Sequence, residues 1–338
     1  MRLDRKSKIA VLMGGVSNER EISFKSGKAV ATALREVGHE VIPVDVTDRD
    51  VTSVQRIQPR VAFVALHGEF GEDGQVQAML EDKGITYTGS GPEASRMGMN
   101  KVASKRSFIR NSVPTADYMV VGEDEESGWV AAAAGRLGYP LVCKPATGGS
   151  SLGISLVHDE SELEDALSSA LQESHDVADE PPEDATVILE SYVRGREFTV
   201  GVLDGHPLPA VEVRSDRTFF DYQAKYSDEN TEYIIPVAAM ETVYRRMQDA
   251  AVRAYCALGC RHMARVDMIH GYDGQLYVLE VNTIPGFTPR SLLPKAAAYE
   301  GITFGQLCEN ICAMALRDAG TGFHIDEQDH QENTRQSA

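Results

Sequence analysis

The sequence predicts an α/β protein in which an open parallel sheet at the N-terminus is followed by two α+β units with antiparallel strands. Three observations lead to this prediction. Residues 8–87 alternate short apolar strands with helices in the order βαβαβ, which is typical of a parallel sheet. Residues 118–190 place strands and helices around a loop rich in glycine and serine. Residues 264–282 have the pattern of two short strands joined by a tight turn.

The composition excludes several classes of function. The 338 residues are 42% hydrophobic and 25% charged, as expected of a globular protein. A net charge of −18 argues against nucleic acid or an anionic membrane as the main partner. No run of roughly 18 or more apolar residues is present, so we expect no membrane span. The first apolar stretch ends in Gly14-Gly15 without a small-residue cleavage pattern, which favours a first strand over a signal peptide and predicts a cytoplasmic protein.

The five cysteines are predicted to be free thiols. Their number is odd, and four of them form two pairs with a spacing of four residues, Cys256 with Cys260 and Cys308 with Cys312. A four-thiolate zinc site is the alternative, but both pairs lie in apolar helical patterns, which favours buried side chains in the core.

The first unit is predicted to span residues 1–112. Residues 8–13 are continuously apolar, as expected of a parallel strand buried on both faces. Asn18 followed by Glu21 is a capping-box pattern, which predicts that a helix begins there and runs to Val37. The further strands are predicted at residues 40–46, 61–66 and 85–87, and the further helices at residues 75–83 and 92–111.

A nicotinamide-dependent dehydrogenase is the alternative interpretation of this unit, because a strand, a glycine turn and a helix form the dinucleotide-binding layout. The fingerprint is incomplete in this chain. Asn18 and Glu19 stand in the region where the third glycine is needed, and a pyrophosphate at this helix start would face Glu19 and Glu21. We therefore discount a nicotinamide site.

The second unit is predicted to span residues 113–190, with a glycine-rich loop at its centre. This loop, residues 146–153, follows directly on the strand that ends at Lys144. Glycines let backbone N–H groups approach phosphate oxygens, so the loop is interpreted as a phosphate cover, with an ordinary hairpin connection as the alternative. The strands are predicted at residues 118–121, 141–144, 154–157 and 186–190, the helices at 128–137 and 161–171, and an acidic surface loop at 176–184.

The third unit is predicted to span residues 191–318. Residues 214–235 are polar and aromatic without periodicity, and loops of this length are usually lids or binding loops. Residues 319–338 are polar and are predicted to form a disordered tail. The strands are predicted at residues 198–203, 208–213, 264–269 and 275–282, and the helices at 242–258 and 303–318.

The hairpin within this unit predicts a metal site. Side chains alternate faces along a strand, so Arg265 shares a face with Asp267, and Glu280 with Asn282. In antiparallel pairing Asp267 and Glu280 fall on the same side, roughly diagonal to each other. Oxygen ligands of this kind suit a hard ion such as Mg²⁺, completed by water and substrate phosphates. The alternative is a hairpin whose carboxylates only face solvent.

Taken together, the motifs closely resemble the D-alanine–D-alanine ligase family of the ATP-grasp superfamily, over roughly residues 8–316. The resemblance implies a Rossmann-like N-terminal domain followed by a two-lobed ATP-grasp fold, and a homodimer. The motifs that carry it occur in the family's order and are GGVSNEREIS, LHGEFGEDG, YTGSG, KPATGGSSLG, LESYVRGREFTV, DYQAKY, RVDM and LEVNTIPGFTPRSLLPKAA.

The resemblance also implies the ligands and the residues that contact them. ATP is the co-substrate, and two Mg²⁺ or Mn²⁺ ions assist it. The residues that match ATP contacts are Lys101, Lys144, Ser151, Glu190, Tyr192, Val193, Glu197 and Lys225. The residues that match metal ligands are Asp267, Glu280 and Asn282.

The implied reaction joins two D-alanine molecules through a D-alanyl phosphate, for peptidoglycan synthesis. Residues of two kinds match the family's site. The catalytic positions are Glu19, Ser150, Tyr226, Arg265, Gly286 and Ser291, and the substrate contacts are Glu19, His67, Arg265, Ser291 and Leu292. Ordinary structural roles remain open for Ser150 as a loop residue, Ser291 as a helix cap and His67 as a loop histidine.

Two other functions fit the same scaffold. A relative that makes D-alanyl-D-lactate is the first, although the retained lid residue Tyr226 favours an amine as the nucleophile. A non-catalytic ATP-binding protein is the second, and the full set of lysines, Arg265 and three metal ligands argues against it.

Overall fold

The structure is a computed structural model that describes residues 7–149, 152–176, 186–214, 231–235 and 241–321. Within these ranges, three sheets follow one another along the chain. The first is parallel, and the second and third are antiparallel. The predicted combination of one parallel sheet with antiparallel sheets is therefore confirmed.

The first sheet has the strand order β2-β1-β3. Its central strand is buried at six of seven positions, as expected of a parallel strand covered on both faces. The elements of this region are β1 (Lys8–Gly14), α1 (Arg20–Glu36), β2 (Glu40–Val46), α2 (Thr52–Ile57), β3 (Val61–Val64), α3 (Gln75–Asp82), α4 (Pro92–Met99) and α5 (Lys101–Arg110).

The second sheet has the order β4-β7-β5-β6, and helices α6 and α7 pack against it. Its elements are β4 (Tyr118–Gly122), α6 (Ser127–Leu137), β5 (Leu141–Pro145), β6 (Ser155–Val157), α7 (Leu163–Asp176) and β7 (Thr186–Ser191).

The third sheet has the order β11-β10-β8-β12-β13, with β9 paired to β8. Its elements are β8 (Gly195–Leu203), β9 (His206–Pro207), β10 (Val211–Arg214), β11 (Glu232–Ile234), α8 (Glu241–Ala257), β12 (Met263–Gly271), β13 (Leu276–Asn282), α9 (Leu292–Tyr299) and α10 (Phe304–Thr321). The hairpin of β12 and β13 therefore forms one edge of this sheet.

The starts of two helices differ from the prediction. Glu19, not Asn18, is the residue before α1, and among the described residues no side chain caps that helix. The predicted helix over 92–111 is two helices, because the extended backbone of Asn100 between them bridges to Thr147. The side chain of Asn100 caps α5 by accepting a hydrogen bond of 2.9 Å from a backbone N–H. This break places the start of α5 against the glycine-rich loop.

Other boundaries also need correction. Residues 85–87 contribute a single bridge to β3 rather than a strand, and the short helix α2 was not predicted. The last helix continues to Thr321, so the first residues of the predicted tail are helical. The ends of the predicted long loop over 214–235 belong to β10 and β11. The remaining parts of the predicted loops and tail lie outside the described residues, namely 177–185, 215–230 and 322–338.

The hydrophobic core crosses from the first sheet to the third. One cluster joins Ile9 and Phe63 of the first sheet to Met263 of the third sheet and to the helices α9 and α10. The second sheet has its own cluster with α6 and α7, around Leu141. The buried-thiol prediction holds at three of the four paired cysteines and is wrong at Cys256, which is exposed. None of the helices in the described ranges is both long and apolar enough to cross a membrane.

Candidate active site

In the described part of the chain, a cavity of about 520 Å³ is lined by residues from all three predicted units. The first unit contributes the start of α1, the loop after β3 and the α4–α5 junction. The second contributes the glycine-rich loop, and the third contributes the β12–β13 hairpin and the loop that follows it. The cavity collects Glu19, His67, Lys101, Arg265, Glu280, Asn282, Gly286, Ser291 and Leu292 of the predicted site.

The hairpin places four of the predicted residues on one face. Asp267 lies directly opposite Glu280, and Arg265 lies directly opposite Asn282, so the diagonal placement of the two carboxylates was wrong. A bulge after Asp267 shifts the register between the turn and these two pairs, so that Asp267 lies opposite Glu280 rather than Leu279. Direct pairing brings the carboxylates closer together than a diagonal arrangement would.

The carboxylate of Asp267 is held from three sides. Arg265 donates two hydrogen bonds to it, from Nε at 2.9 Å and from a terminal nitrogen at 2.7 Å. Thr199 on β8 donates from its hydroxyl at 2.7 Å, and Asn282 donates from its amide at 3.1 Å. The orientation of this carboxylate is therefore fixed by the protein. Thr199 is a site residue that sequence analysis missed, because the β8–β12 register is not visible in the sequence.

This donor set fits a hard divalent cation. It presents two carboxylates and an amide oxygen on one face of a rigid hairpin, and such cations prefer oxygen ligands. Within the described residues no cluster of three or more His, Cys, Asp or Glu side chains is placed to hold a metal ion. The hairpin alone therefore supplies an incomplete shell, and phosphate oxygens and water must complete it.

A buried ion-pair network connects α5 with the second sheet. Glu190 on β7 is buried between two lysines, with Lys105 at 3.1 Å and Lys144 at 2.5 Å. Lys105 also donates to the hydroxyl of Thr115 at 2.6 Å. Burial acts to raise the pKa of Glu190, but the charges of Lys144 and Lys105 outweigh it, so the pKa lies below its usual value. The two lysines therefore favour the ionised form of Glu190.

Lys105 was missed by sequence analysis, although a signal was present. It lies four residues after Lys101 on the same helix, and residues at that spacing share a helix face. Lys101 begins α5, and its ammonium donates to the carbonyl of Gly148 at 2.8 Å. The two lysines therefore join α5 to the glycine-rich loop and to the buried carboxylate of Glu190. The neighbouring predicted residues Ser150 and Ser151 lie outside the described residues.

The other predicted ATP contacts lie along the connection from β7 to β8. Tyr192 donates its backbone N–H to the carbonyl of Pro140 at 3.4 Å, and Val193 follows it. Glu197 lies on β8, between β10 and β12. Lys225 and Tyr226, which were predicted on the lid, lie outside the described residues.

The start of α1 meets the loop after β3. The hydroxyl of Ser17 donates to the carbonyl of His67 at 2.6 Å and accepts the backbone N–H of Glu19 at 3.2 Å. A side chain at Gly68 would approach the Glu19 carboxylate within 2.9 Å, and the positive φ of 71° also favours glycine. The Glu19 carboxylate is therefore held close to the loop backbone at the cavity wall.

His67 is buried, and its ring bonds on both sides. Nε2 lies 2.9 Å from the hydroxyl of Ser26, and Nδ1 lies 3.1 Å from the carbonyl of Ile284. Burial acts to lower the pKa of His67, but the hydrogen bond and charge of Glu72, together with Glu19, raise it above its usual value.

Ser291 precedes α9 without capping it. Its hydroxyl accepts the backbone N–H of Thr288 at 3.0 Å and also lies 3.0 Å from the Thr288 hydroxyl. The alternative role as a helix cap is therefore not supported. A Cβ built on Gly286 would lie 3.6 Å from this hydroxyl, so Gly286 and Ser291 are neighbours at the cavity wall. Leu292 begins α9 and packs partly against the core.

Comparisons with known proteins identify the family. Family models described as "D-ala D-ala ligase N-terminus" and "D-ala D-ala ligase C-terminus" match residues 8–57 with 48–90, and residues 108–313. The chain is 45% identical to a D-alanine–D-alanine ligase of Syntrophotalea carbinolica, covering 92% of this chain and 97% of that one. It is 44% identical to a D-alanine–D-alanine ligase of Anaeromyxobacter dehalogenans, covering 90% and 95%.

Solved structures of the same family also resemble this chain. The crystal structure of D-alanine–D-alanine ligase from Bacillus anthracis complexed with ATP superposes with a TM-score of 0.80 and 33% identity, covering 93% of this chain and 99% of that one. A second crystal structure of the Bacillus anthracis ligase gives a TM-score of 0.79 and 34% identity, with the same coverage. The chain belongs to the D-alanine–D-alanine ligase family.

Proposed function

We propose that this chain uses ATP to join two D-alanine molecules into D-alanyl-D-alanine, a building block of peptidoglycan, in the cytoplasm. The observation that carries the proposal is the cavity itself. It presents Glu19 and Ser291 on separate elements, with Arg265 and Glu280 of the hairpin also at its wall. Such a layout can receive an amino-acid ammonium, a carboxylate and a phosphate group together. Family membership supports the same reaction.

Two lysines, one at the start of α5 and one on β5, are the proposed contacts of the ATP phosphates. Lys101 and Lys144 lie on either side of the glycine-rich loop, whose backbone N–H groups can approach phosphate oxygens. The buried carboxylate of Glu190 fixes Lys144, and it is also the matching contact for the adenine edge. Tyr192, Val193 and Glu197 follow as the remaining proposed nucleotide contacts.

Asp267, Glu280 and Asn282 are the residues that would hold two Mg²⁺ or Mn²⁺ ions. When bound, the ions neutralise charge that develops on the transferred phosphoryl group. The protein's own contribution is orientation, because Thr199 and Arg265 fix the Asp267 carboxylate before any ligand arrives.

The reaction has two steps. A carboxylate oxygen of the first D-alanine attacks the terminal phosphorus of ATP, the bond to ADP breaks, and D-alanyl phosphate forms. The amine of the second D-alanine then attacks the carbonyl carbon and loses a proton, and inorganic phosphate leaves. Glu19 holds the ammonium of the first D-alanine in this proposal, with His67 beside it.

The oxygen of the addition intermediate becomes negative and needs donors in place. Arg265 and the backbone N–H of Gly286 are the proposed donors. Arg265 is fixed by its two hydrogen bonds to Asp267, so its guanidinium requires little reorganisation during the step. Ser291 and Leu292 receive the carboxylate of the second D-alanine. Lys225 and Tyr226 remain predicted parts of the lid that excludes water, and Ser150 remains a predicted link between Glu19 and that lid.

The test is phosphate release from ATP with D-alanine as the only amino acid, combined with chromatographic identification of the dipeptide. We expect strict dependence on D-alanine, no dipeptide from L-alanine, and near-total loss in Glu280→Ala. A preference for D-lactate as the second substrate would instead assign the chain to ester formation. ATP binding without phosphate release on addition of D-alanine would contradict catalysis. Sedimentation analysis tests the predicted homodimer.

A further inference from the structure

The segment from Ile284 to Phe287 carries Gly286, and both of its ends are held by one buried pair of side chains. The carbonyl of Ile284 lies 3.1 Å from Nδ1 of His67. The backbone N–H of Phe287 donates to the hydroxyl of Ser26 at 3.1 Å. Ser26 and His67 contact each other at 2.9 Å, which closes the bridge between the two ends.

The chemistry of these groups fixes the direction of two of the three hydrogen bonds, and the protonation state of His67 sets the third. A carbonyl oxygen only accepts, so Nδ1 of His67 carries the proton and donates to Ile284. In the neutral ring Nε2 is then an acceptor, and the hydroxyl of Ser26 donates to it. The same hydroxyl oxygen accepts from Phe287. All three contacts are satisfied by this tautomer of the neutral ring, and in the protonated ring Nε2 donates to the hydroxyl oxygen of Ser26 instead, so the bridge is kept in both states.

Between the two ends of the bridge, Gly286 supplies the one backbone N–H among the described residues. Pro285 has no N–H, and the N–H of Phe287 is taken by Ser26. Among the described residues no acceptor is paired with the N–H of Gly286. Gly286 is half-buried and lines the cavity, whereas Ile284 and Phe287 on either side are buried.

Aromatic packing in the core also holds the segment from Ile284 to Phe287. The ring of Phe287 lies 5.5 Å from that of Phe63 on β3 and 5.6 Å from that of Phe304 on α10, between ring centres. Packing fixes the side chain of Phe287, but it does not fix the rotation of the peptide planes at Gly286. That rotation is set by hydrogen bonds at both ends of the segment.

We propose that Ser26 and His67 are positioning residues that hold the Gly286 N–H in the direction of the developing oxyanion. The inference rests on the proposed ligase function, in which Gly286 is an oxyanion donor. It gives His67 a role that differs from a direct contact with substrate. It also explains why a small hydroxyl is present at a buried position of α1, because Ser26 is 1% exposed.

The test compares two buried serines on the same helix. Ser26→Ala removes the bridge, whereas Ser23→Ala removes a hydroxyl that donates to the carbonyl of Ala65 at 2.7 Å, away from the Gly286 segment. We expect Ser26→Ala to lower kcat by about tenfold to a hundredfold, since a displacement of roughly 1 Å can cost that much. We expect KM for ATP and for D-alanine to stay within about twofold, because uniform binding is not changed. Ser23→Ala should leave kcat unchanged.

A ligand-binding measurement separates positioning from a general structural effect. A phosphinate dipeptide analogue has a tetrahedral centre that resembles the addition intermediate. Its affinity for Ser26→Ala should fall by the same factor as kcat, while the affinity for ATP stays constant. His67→Ala should lower kcat similarly, and the double variant should lose little more than either single variant, because both changes break one bridge.

Several results would contradict the positioning role of Ser26 and His67. An unchanged kcat in Ser26→Ala, or a loss confined to KM, would overturn the inference, as would additive losses in the double variant. If Ser26→Ala does not fold, Ser26→Cys keeps the side-chain size with a weaker donor, and a wild-type kcat there would overturn it as well. A wild-type chain that makes no dipeptide would refute the proposed function itself.

Discussion

Arg265 donates two parallel hydrogen bonds to the carboxylate of Asp267, which lies two positions further along β12. Neighbours at that spacing point to the same face of a strand, so the planar fork of arginine can meet both carboxylate oxygens. One interaction therefore orients both a proposed metal ligand and a proposed oxyanion donor.

Arg265→Lys should separate charge from geometry. Lysine keeps the positive charge but cannot form the two parallel hydrogen bonds, so Asp267 loses its orientation. We expect kcat to fall by at least about a hundredfold, in the range seen when an oxyanion donor is removed. The rate of phosphate release, measured by stopped flow with saturating ATP and D-alanine, gives this kcat. Arg245→Lys is the control, because that arginine is exposed on α8. Full activity in Arg265→Lys would show that charge alone is sufficient.

Removal of Lys105 should destabilise the fold more than removal of the whole buried pair. Lys105→Met leaves Glu190 buried, with Lys144 as its remaining charged partner among the described residues. Breaking such a pair from one side typically costs about 3–5 kcal/mol, whereas replacing both partners with apolar residues is often close to neutral. We expect Lys105→Met with Glu190→Leu to be more stable than Lys105→Met alone in urea unfolding. Equal stability of the two would mean that the network contributes no coupling.

Ser291→Ala should affect substrate binding rather than stability. Its hydroxyl does not cap α9, so we expect the unfolding free energy to change by less than about 1 kcal/mol while KM for the second D-alanine rises. Asp159→Ala gives the opposite pattern, because that side chain does cap a helical turn and is not among the residues that line the cavity. It should lose about 1 kcal/mol of stability and keep its KM. Steady-state kinetics with thermal unfolding resolves the two patterns.

His262 should make the protein less stable in acid. Its Nδ1 accepts the backbone N–H of Gly89 at 3.0 Å, and its Nε2 lies 3.0 Å from Asp318. Burial, with the charge of Arg261, lowers the pKa of His262 to about 4 from 6.5. The unfolded chain then binds the proton more readily, so the associated stability is complete above pH 6.5 and is lost as the pH falls towards 4.

The free energy of unfolding, measured by urea titration across this range, should therefore decrease with a slope of up to one proton. His262→Gln should reduce that slope, whereas His206→Gln, which changes an exposed histidine on β9, should leave it unchanged. An identical slope in wild type and His262→Gln would assign the acid sensitivity to other groups.

Much of this fold follows from periodicity in the sequence. The buried run at the start of the chain predicted β1, and alternation on the hairpin predicted which side chains share a face. The break at Asn100 could not be predicted in this way, because it depends on a bridge to Thr147, which is distant in the chain. The exact pairing of Asp267 with Glu280 likewise depends on a bulge, and a bulge has no clear sequence signal here.

The residues predicted for the site were found through motifs, whereas the residues that support them were missed. The proposed ligand contacts Glu19, Arg265 and Glu280 lie in recognisable stretches of sequence and line one cavity, so they could be named in advance. Lys105 and Ser26 act through other side chains, and their partners become visible only when α5 and α1 are packed in place. The sequence reports such residues as ordinary positions on a helix.

The shared core described above has a mechanical consequence. Buried side chains of the first sheet, of Met263 and of α9 and α10 form one continuous cluster. The second sheet has its main cluster with α6 and α7, and a small cluster of Val102, Ala146 and Ile188 joins it to α5. Separating the first sheet from the third would expose their shared hydrophobic core. A lobe whose main core is separate can instead rotate about the segments that enter and leave it. We therefore expect the lobe at 113–190 to rotate during product release, while the first and third sheets stay together as one rigid body.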